Sequence, residues 1–109
     1  MSYNVLTIAP FEKQFKRLVK KYPSLKAEFS ILINDLSAKP DTGVSLGHDC
    51  YKIRLAIASK GKGKSGGARV ITYLAITDKA VYLLSIYDKS EQSDIADKEL
   101  LRLLELIKP

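Results

Sequence analysis

The segment Tyr51-Lys52-Ile53-Arg54-Leu55-Ala56-Ile57-Ala58, then Ser59-Lys60-Gly61-Lys62-Gly63-Lys64-Ser65-Gly66-Gly67, then Ala68-Arg69-Val70-Ile71-Thr72-Tyr73-Leu74-Ala75-Ile76, is where the hydrophobic period of the chain becomes two. Tyr51, Ile53, Leu55 and Ile57 alternate with Lys52, Arg54, Ala56 and Ala58, which predicts a strand with one core face and one basic face. The glycine–lysine run 59–67 has nothing to bury and reads as a mobile loop. Residues 68–76 read as the next strand, with Arg69, Ile71 and Tyr73 on one side. Same-face residues in a strand are roughly 6.5–7 Å apart, so Lys52 and Arg54 form a cationic pair. The expectation is that Lys52, Arg54, Arg69 and Tyr73 line one open surface of a sheet.

Downstream, Thr77-Asp78-Lys79 reads as a turn and residues 80–87 as a further strand. Ser93 or Asp94 is placed to cap a last helix whose apolar face includes Ala96, Leu100, Leu103, Leu104 and Ile107. Upstream, residues 41–50, with Gly43 and Gly47, read as a loop. Phe11, Phe15, Leu18, Val19 and Tyr22 fall on one helical face, with Pro10 in the first turn and Pro23 ending the pattern. Leu25, Phe29, Leu32, Ile33 and Leu36 repeat that spacing behind Ser24, and residues 37–40 stop the second helix. These two make a helical hairpin with a shared apolar seam. Residues 3–9 are β-branched and apolar and read as a first strand. The predicted order is β-α-α-β-β-β-α, an α+β fold with a small antiparallel sheet and the helices on one face.

The chain has 109 residues, enough for one domain (1–109) and one core. With 46% apolar and 28% charged residues it has globular, not disordered, proportions. No apolar run approaches the roughly 18–20 residues of a membrane span, and residues 1–4 do not open a secretory signal. A single cysteine, Cys50, excludes an internal disulfide, and with one histidine, His48, a zinc centre would need carboxylates. These bounds point to a cytoplasmic domain.

The net charge of +6 is concentrated. Residues 52–69 carry Lys52, Arg54, Lys60, Lys62, Lys64 and Arg69 with no acid, while the parts before and after them carry two net charges each, of opposite sign, and cancel. A basic run without counter-charge is a site for a polyanion. Arginine grips phosphate through two parallel hydrogen bonds, lysine acts as a point charge, and a tyrosine offers a stacking face to a base. Together they suit single-stranded RNA. Gly63-Lys64-Ser65 is not a nucleotide-binding phosphate loop. Ala58 stands where the pattern needs its first glycine, and a strand follows where it needs a helix.

Three segments, Tyr51–Leu55, Ser59–Tyr73 and Val81–Ile95, resemble the RelE/ParE toxin superfamily, most of all the HigB-type toxins with a Lys-Gly-Lys-Gly-Lys loop. The resemblance spans nearly the whole chain and includes the leading helical hairpin. It implies the toxin of a type II toxin–antitoxin system, a ribosome-dependent mRNA interferase. The implied chemistry is attack of a ribose 2′-OH on the neighbouring phosphate, with no metal or cofactor. The implied partners are the ribosomal A site with its mRNA and a HigA-like helix-turn-helix antitoxin. By motif position Lys52 and Arg54 match the basic pair of the first catalytic strand, Arg69 the arginine opening the next, and Lys89 the basic residue after the last. Lys60, Lys62 and Lys64 are the expected RNA-binding loop cations. RelE-type enzymes carry a tyrosine early in the last helix. Here that region reads Asp94-Ile95-Ala96-Asp97, which leaves Tyr73, Tyr87 and His48 as candidates for proton transfer. A ParE-like gyrase inhibitor and a non-catalytic ribosome-binding module are the alternatives.

Overall fold

A computed structural model of the chain describes residues 2–61, 63 and 65–107. The elements run β1 (Asn4–Thr7), α1 (Ala9–Lys21), α2 (Leu25–Ala38), β2 (Val44–Gly47), β3 (Cys50–Leu55), β4 (Ala68–Ala75), β5 (Ala80–Asp88) and α3 (Asp97–Glu105), with a 3-10 turn at Ala58–Lys60 before β4. The sheet order is β1-β5-β4-β3-β2. Strands β2 to β5 pair antiparallel in sequence order, whereas β1 lies parallel to β5, because the helical hairpin carries the chain across the sheet between them. The sheet is therefore mixed rather than wholly antiparallel. Residues 44–47, expected in a loop, form a short edge strand.

The core has two halves. On one face Phe11, Leu18, Leu25, Leu32 and Leu36 of the hairpin pack on Ile53, Val70, Leu74, Val81, Leu83 and Ile86. Phe11, Phe15 and Phe29 form the seam between α1 and α2, with ring centroids 4.4–5.9 Å apart. On the other face Leu100 and Leu103 of α3 pack on Cys50, Ile71, Leu84 and Tyr87. The helices thus cover both faces, not one. Helical periodicity fixes that α3 buries a stripe, but not which side of the sheet receives it.

One irregularity decides where the last strand aims its side chains. The pairing of β4 with β5 shifts between Ile71 and Thr72, whose partners are Ser85 and Leu83. The extra residue on β5 is a bulge. Before it, Val81 and Leu83 face the hairpin; after it, Ile86 does. Strict alternation from Leu83 would have sent Tyr87 to the hairpin. The bulge sends Tyr87 to the α3 face instead, and Asp88 to the hairpin side. The hairpin supports the bulge through Gln14, whose Oε1 accepts the Ile86 N–H at 3.0 Å and the Ser85 hydroxyl at 3.1 Å. The backbone donor freed by the bulge is thereby satisfied.

Candidate nucleic-acid interface

Cross-strand register assembles the site. Arg54 sits opposite Arg69, and Arg69 opposite Tyr87, so these three side chains form a row across β3, β4 and β5. Lys52 is one step along, opposite Ile71 of the α3-side core. Lys52, Arg54, Arg69 and Tyr87 therefore share one face, and Lys89 continues it beyond β5. Two arginines directly opposite each other repel, a cost of roughly 0.2–1 kcal/mol. A fold that keeps such a pair spends stability on holding positive charge in one place.

The cations are not equally accessible. Arg54 is exposed and Lys52 half-buried. Arg69, expected on an open surface, is only 5% exposed. The chain entering β4 folds over it: Nη1 donates to Ala68 O at 3.1 Å and Nη2 to Ser65 O at 3.4 Å. Gly67 permits the fold-back, because a Cβ there would lie 2.2 Å from Leu55 O. Lys89 donates to Ser93 O at 3.2 Å, and its N–H is bonded to Gly67 O at 3.0 Å.

Asp94 is the residue that sequence reasoning missed at this site. Its place in the sequence suggests only a helix cap, but α3 begins after Ala96 and Asp94 turns back to the sheet. Its Oδ1 accepts the Lys52 ammonium at 3.3 Å and the Ile95 N–H at 2.8 Å. The Ile95 N–H, followed by Lys52, holds its carboxyl below the usual carboxylate range. Beside it lies the Tyr87 hydroxyl, buried and without an aligned hydrogen-bond partner among the described residues. Burial, followed by the charge of Asp94, pushes the Tyr87 phenol up to about 12, although Arg69 pulls the other way. At neutral pH this phenol is a proton donor beside an ionised carboxylate. An aspartate whose partner stands 42 residues away leaves no local pattern to read.

Two expected loop cations, Lys62 and Lys64, lie outside the described residues. The third, Lys60, lies on the hairpin side of the sheet, away from the row of cations. The 3-10 turn carries it to Asp88, which is wholly buried at the end of β5. Lys60 forms an ion pair with Asp88, donates to Ser90 Oγ at 2.9 Å and lies 5.7 Å from the centre of the Tyr22 ring. Tyr22 OH, 2.7 Å away, and the Ser90 N–H and hydroxyl also donate to Asp88. A buried carboxylate needs a counter-charge, and Lys60 supplies it in direct contact, with the more exposed Lys21 ammonium 4.0 Å away. Burial opposes ionisation of Asp88, but these donors outweigh it and hold its carboxyl well below the usual range.

Tyr73 lies on the same face as Arg69 but four residues away along β4, about 13 Å. Leu100 and Leu103 of α3 pack on Ile71 in the space between. His48 sits still further out, in the turn joining β2 to β3. Neither stands with the cations. Burial, with a contribution from Asp49, raises the Cys50 thiol to about 11, so it is no nucleophile at neutral pH.

This face gathers the cations Lys52, Arg54 and Lys89 beside the Asp94 carboxylate, with the Tyr87 hydroxyl covered behind them. Residues 11–108 match the sequence model of a family described as the RelE toxin of the RelE/RelB toxin–antitoxin system. Among solved structures, the chain resembles a double arginine-to-alanine mutant of Escherichia coli RelE in the free state. The TM-score is 0.66 at 15% identity, over 99% of this chain and 100% of that one. It also resembles isolated E. coli RelE (TM-score 0.52, 15% identity, 97% and 100% covered). A third match is a chain of the intact E. coli RelBE toxin–antitoxin complex (TM-score 0.50, 17% identity, 80% and 96% covered).

Proposed function

Because the chain belongs to the RelE toxin family, toxins of type II toxin–antitoxin systems that inhibit translation by cleaving mRNA, we propose that it is a ribosome-dependent endoribonuclease working through the α3 face of its sheet. The observation that carries this reading is the row Arg54–Arg69–Tyr87 with Lys52, Lys89 and Asp94 around it. Phosphoryl transfer gains most from cations fixed where charge builds on the phosphorane oxygens. Arg54, exposed and two-pronged, is the main phosphate grip. Lys52 joins it on exchanging Asp94 for a phosphate oxygen, and Lys89 closes the other side. Arg69 acts from beneath, as a fixed charge under the row and as the anchor of the chain entering β4.

In the reaction the ribose 2′-OH attacks the adjacent phosphorus while the bond to the 5′ oxygen of the next nucleotide breaks. A 2′,3′-cyclic phosphate and a free 5′-OH result. Asp94, once Lys52 has turned to the phosphate, accepts the 2′-OH proton, and the departing oxygen takes a proton from Tyr87 as substrate binding uncovers that buried hydroxyl. The message is presented in the ribosomal A site, in the cytoplasm, and the neutralising partner is a HigA-like antitoxin.

Induced expression followed by primer extension and a DNA supercoiling assay tests the reading. Messages cut at translated codons, with supercoiling unchanged, are the expected result. Intact messages with lost supercoiling would instead place the chain with gyrase inhibitors.

A further inference from the structure

The end of the sheet farthest from the cations holds a cavity that the cleavage reaction does not use. Tyr73 and Tyr82 form part of its lining, with ring centroids 6.2 Å apart and planes inclined at 30°. Leu104 and Ile107 form an apolar wall, and Asp49 and Asp78 stand on the rim. The ends of β4 and β5 with the turn between them, the β2–β3 turn and the end of α3 build it. The first of these turns is held firmly. His48 and Asp49 both adopt positive φ, 55° and 59°, and Asp49 O accepts the Leu74 N–H at 2.8 Å.

We propose that this cavity is an anchor point for the antitoxin, receiving one of its arginine or lysine side chains next to an apolar residue. The proposal rests on the toxin–antitoxin reading above. Charge complementarity selects the occupant. The chain as a whole carries +6, yet among the described residues no lysine or arginine lines this cavity and neither rim carboxylate has an ion-pair partner. Two carboxylates repel a phosphate backbone, so RNA does not belong here. They attract a cation, while the tyrosine faces add cation–π attraction and the leucine–isoleucine wall covers the aliphatic stem. Ile76 and Leu106, 60% and 53% exposed, adjoin the lining residues Ala75 and Ile107 in sequence. Large apolar side chains left in water beside an aromatic pocket mark a protein interface, where arginine and tyrosine commonly anchor binding.

The cavity lies about 13 Å along β4 from Arg69, so antitoxin binding and cleavage are separable. The purified cognate antitoxin is titrated against the full-length toxin in an Arg54→Ala background, with and without Asp49→Asn plus Asp78→Asn. Cleavage of ribosome-bound message is measured with the same pair of substitutions in the otherwise unaltered chain. The double substitution should weaken antitoxin binding about tenfold at low salt, with a smaller difference at high salt, and leave cleavage unchanged. Asp49→Lys with Asp78→Lys should weaken binding further. Antitoxin affinity within twofold of the parent overturns the proposal, as does loss of cleavage, with or without loss of binding. If even the unaltered toxin cuts no message, the cleavage reading fails, while the antitoxin titration still decides the anchor.

Discussion

Arg54→Ala is expected to lower the rate of ribosome-bound mRNA cleavage by about 10²–10³-fold, the typical effect of losing one aimed charge-stabilising donor. Stability should hold steady or rise slightly. Arg54 is exposed and faces Arg69 across the strand pair, so its removal relieves like-charge repulsion. Activity and stability then move in opposite directions, which a merely structural residue would not produce. Single-turnover cleavage on programmed ribosomes, beside urea unfolding of the same preparation, gives both numbers. A variant that cleaves at the parental rate removes Arg54 from the chemistry. Lys52→Ala should show a smaller loss, because Lys52 must first leave Asp94.

The second large effect concerns the buried ion pair. Asp88→Ala should cost about 3–5 kcal/mol, since it strands the Lys60 ammonium, whose side chain is only 8% exposed, without its partner. That is a large share of the roughly 5–15 kcal/mol that a domain commonly has. The same carboxylate gives stability a pH dependence of known sign. Its folded pKa lies below the unfolded value of about 3.9. Its contribution is therefore complete above that value and is lost as pH falls toward the folded one. Urea midpoints measured from pH 7 down to pH 3 should fall for the parent. The fall should be shallower for Asp88→Asn, which carries no proton equilibrium at that site. Equal slopes would mean that Asp88 is not held ionised by its surroundings.

Period-two alternation from Tyr51 to Ile57 was enough to place Lys52 and Arg54 on one face, and the same rule placed Arg69 on its own strand. Both hold because β3 and β4 pair without interruption through that region. The rule fails on β5, where one inserted residue reverses the facing of everything after Leu84, and no local signal in Leu83-Leu84-Ser85-Ile86 announces it. The edge strand β2 was missed for another reason. Four residues ending in Gly47 carry little strand preference, and β2 exists through its pairing with β3. The burial of Arg69, the capture of Lys60 by Asp88 and the turn of Asp94 toward Lys52 all depend on partners four to 42 residues away. Charge counting saw six cations in one segment; it could not see that one would be covered and another neutralised. The antiparallel expectation likewise failed only for β1, whose neighbour β5 lies beyond all the intervening elements.

The account depends on the exposed part of that cationic row acting on a ribose–phosphate linkage through the ribose's own hydroxyl. A message bearing a single 2′-deoxynucleotide on the 5′ side of the scissile phosphate, programmed into ribosomes with the toxin, tests this directly. The account predicts that this message stays whole while its all-ribose counterpart is cut to a 2′,3′-cyclic phosphate end. Cleavage of both messages at one rate would contradict it.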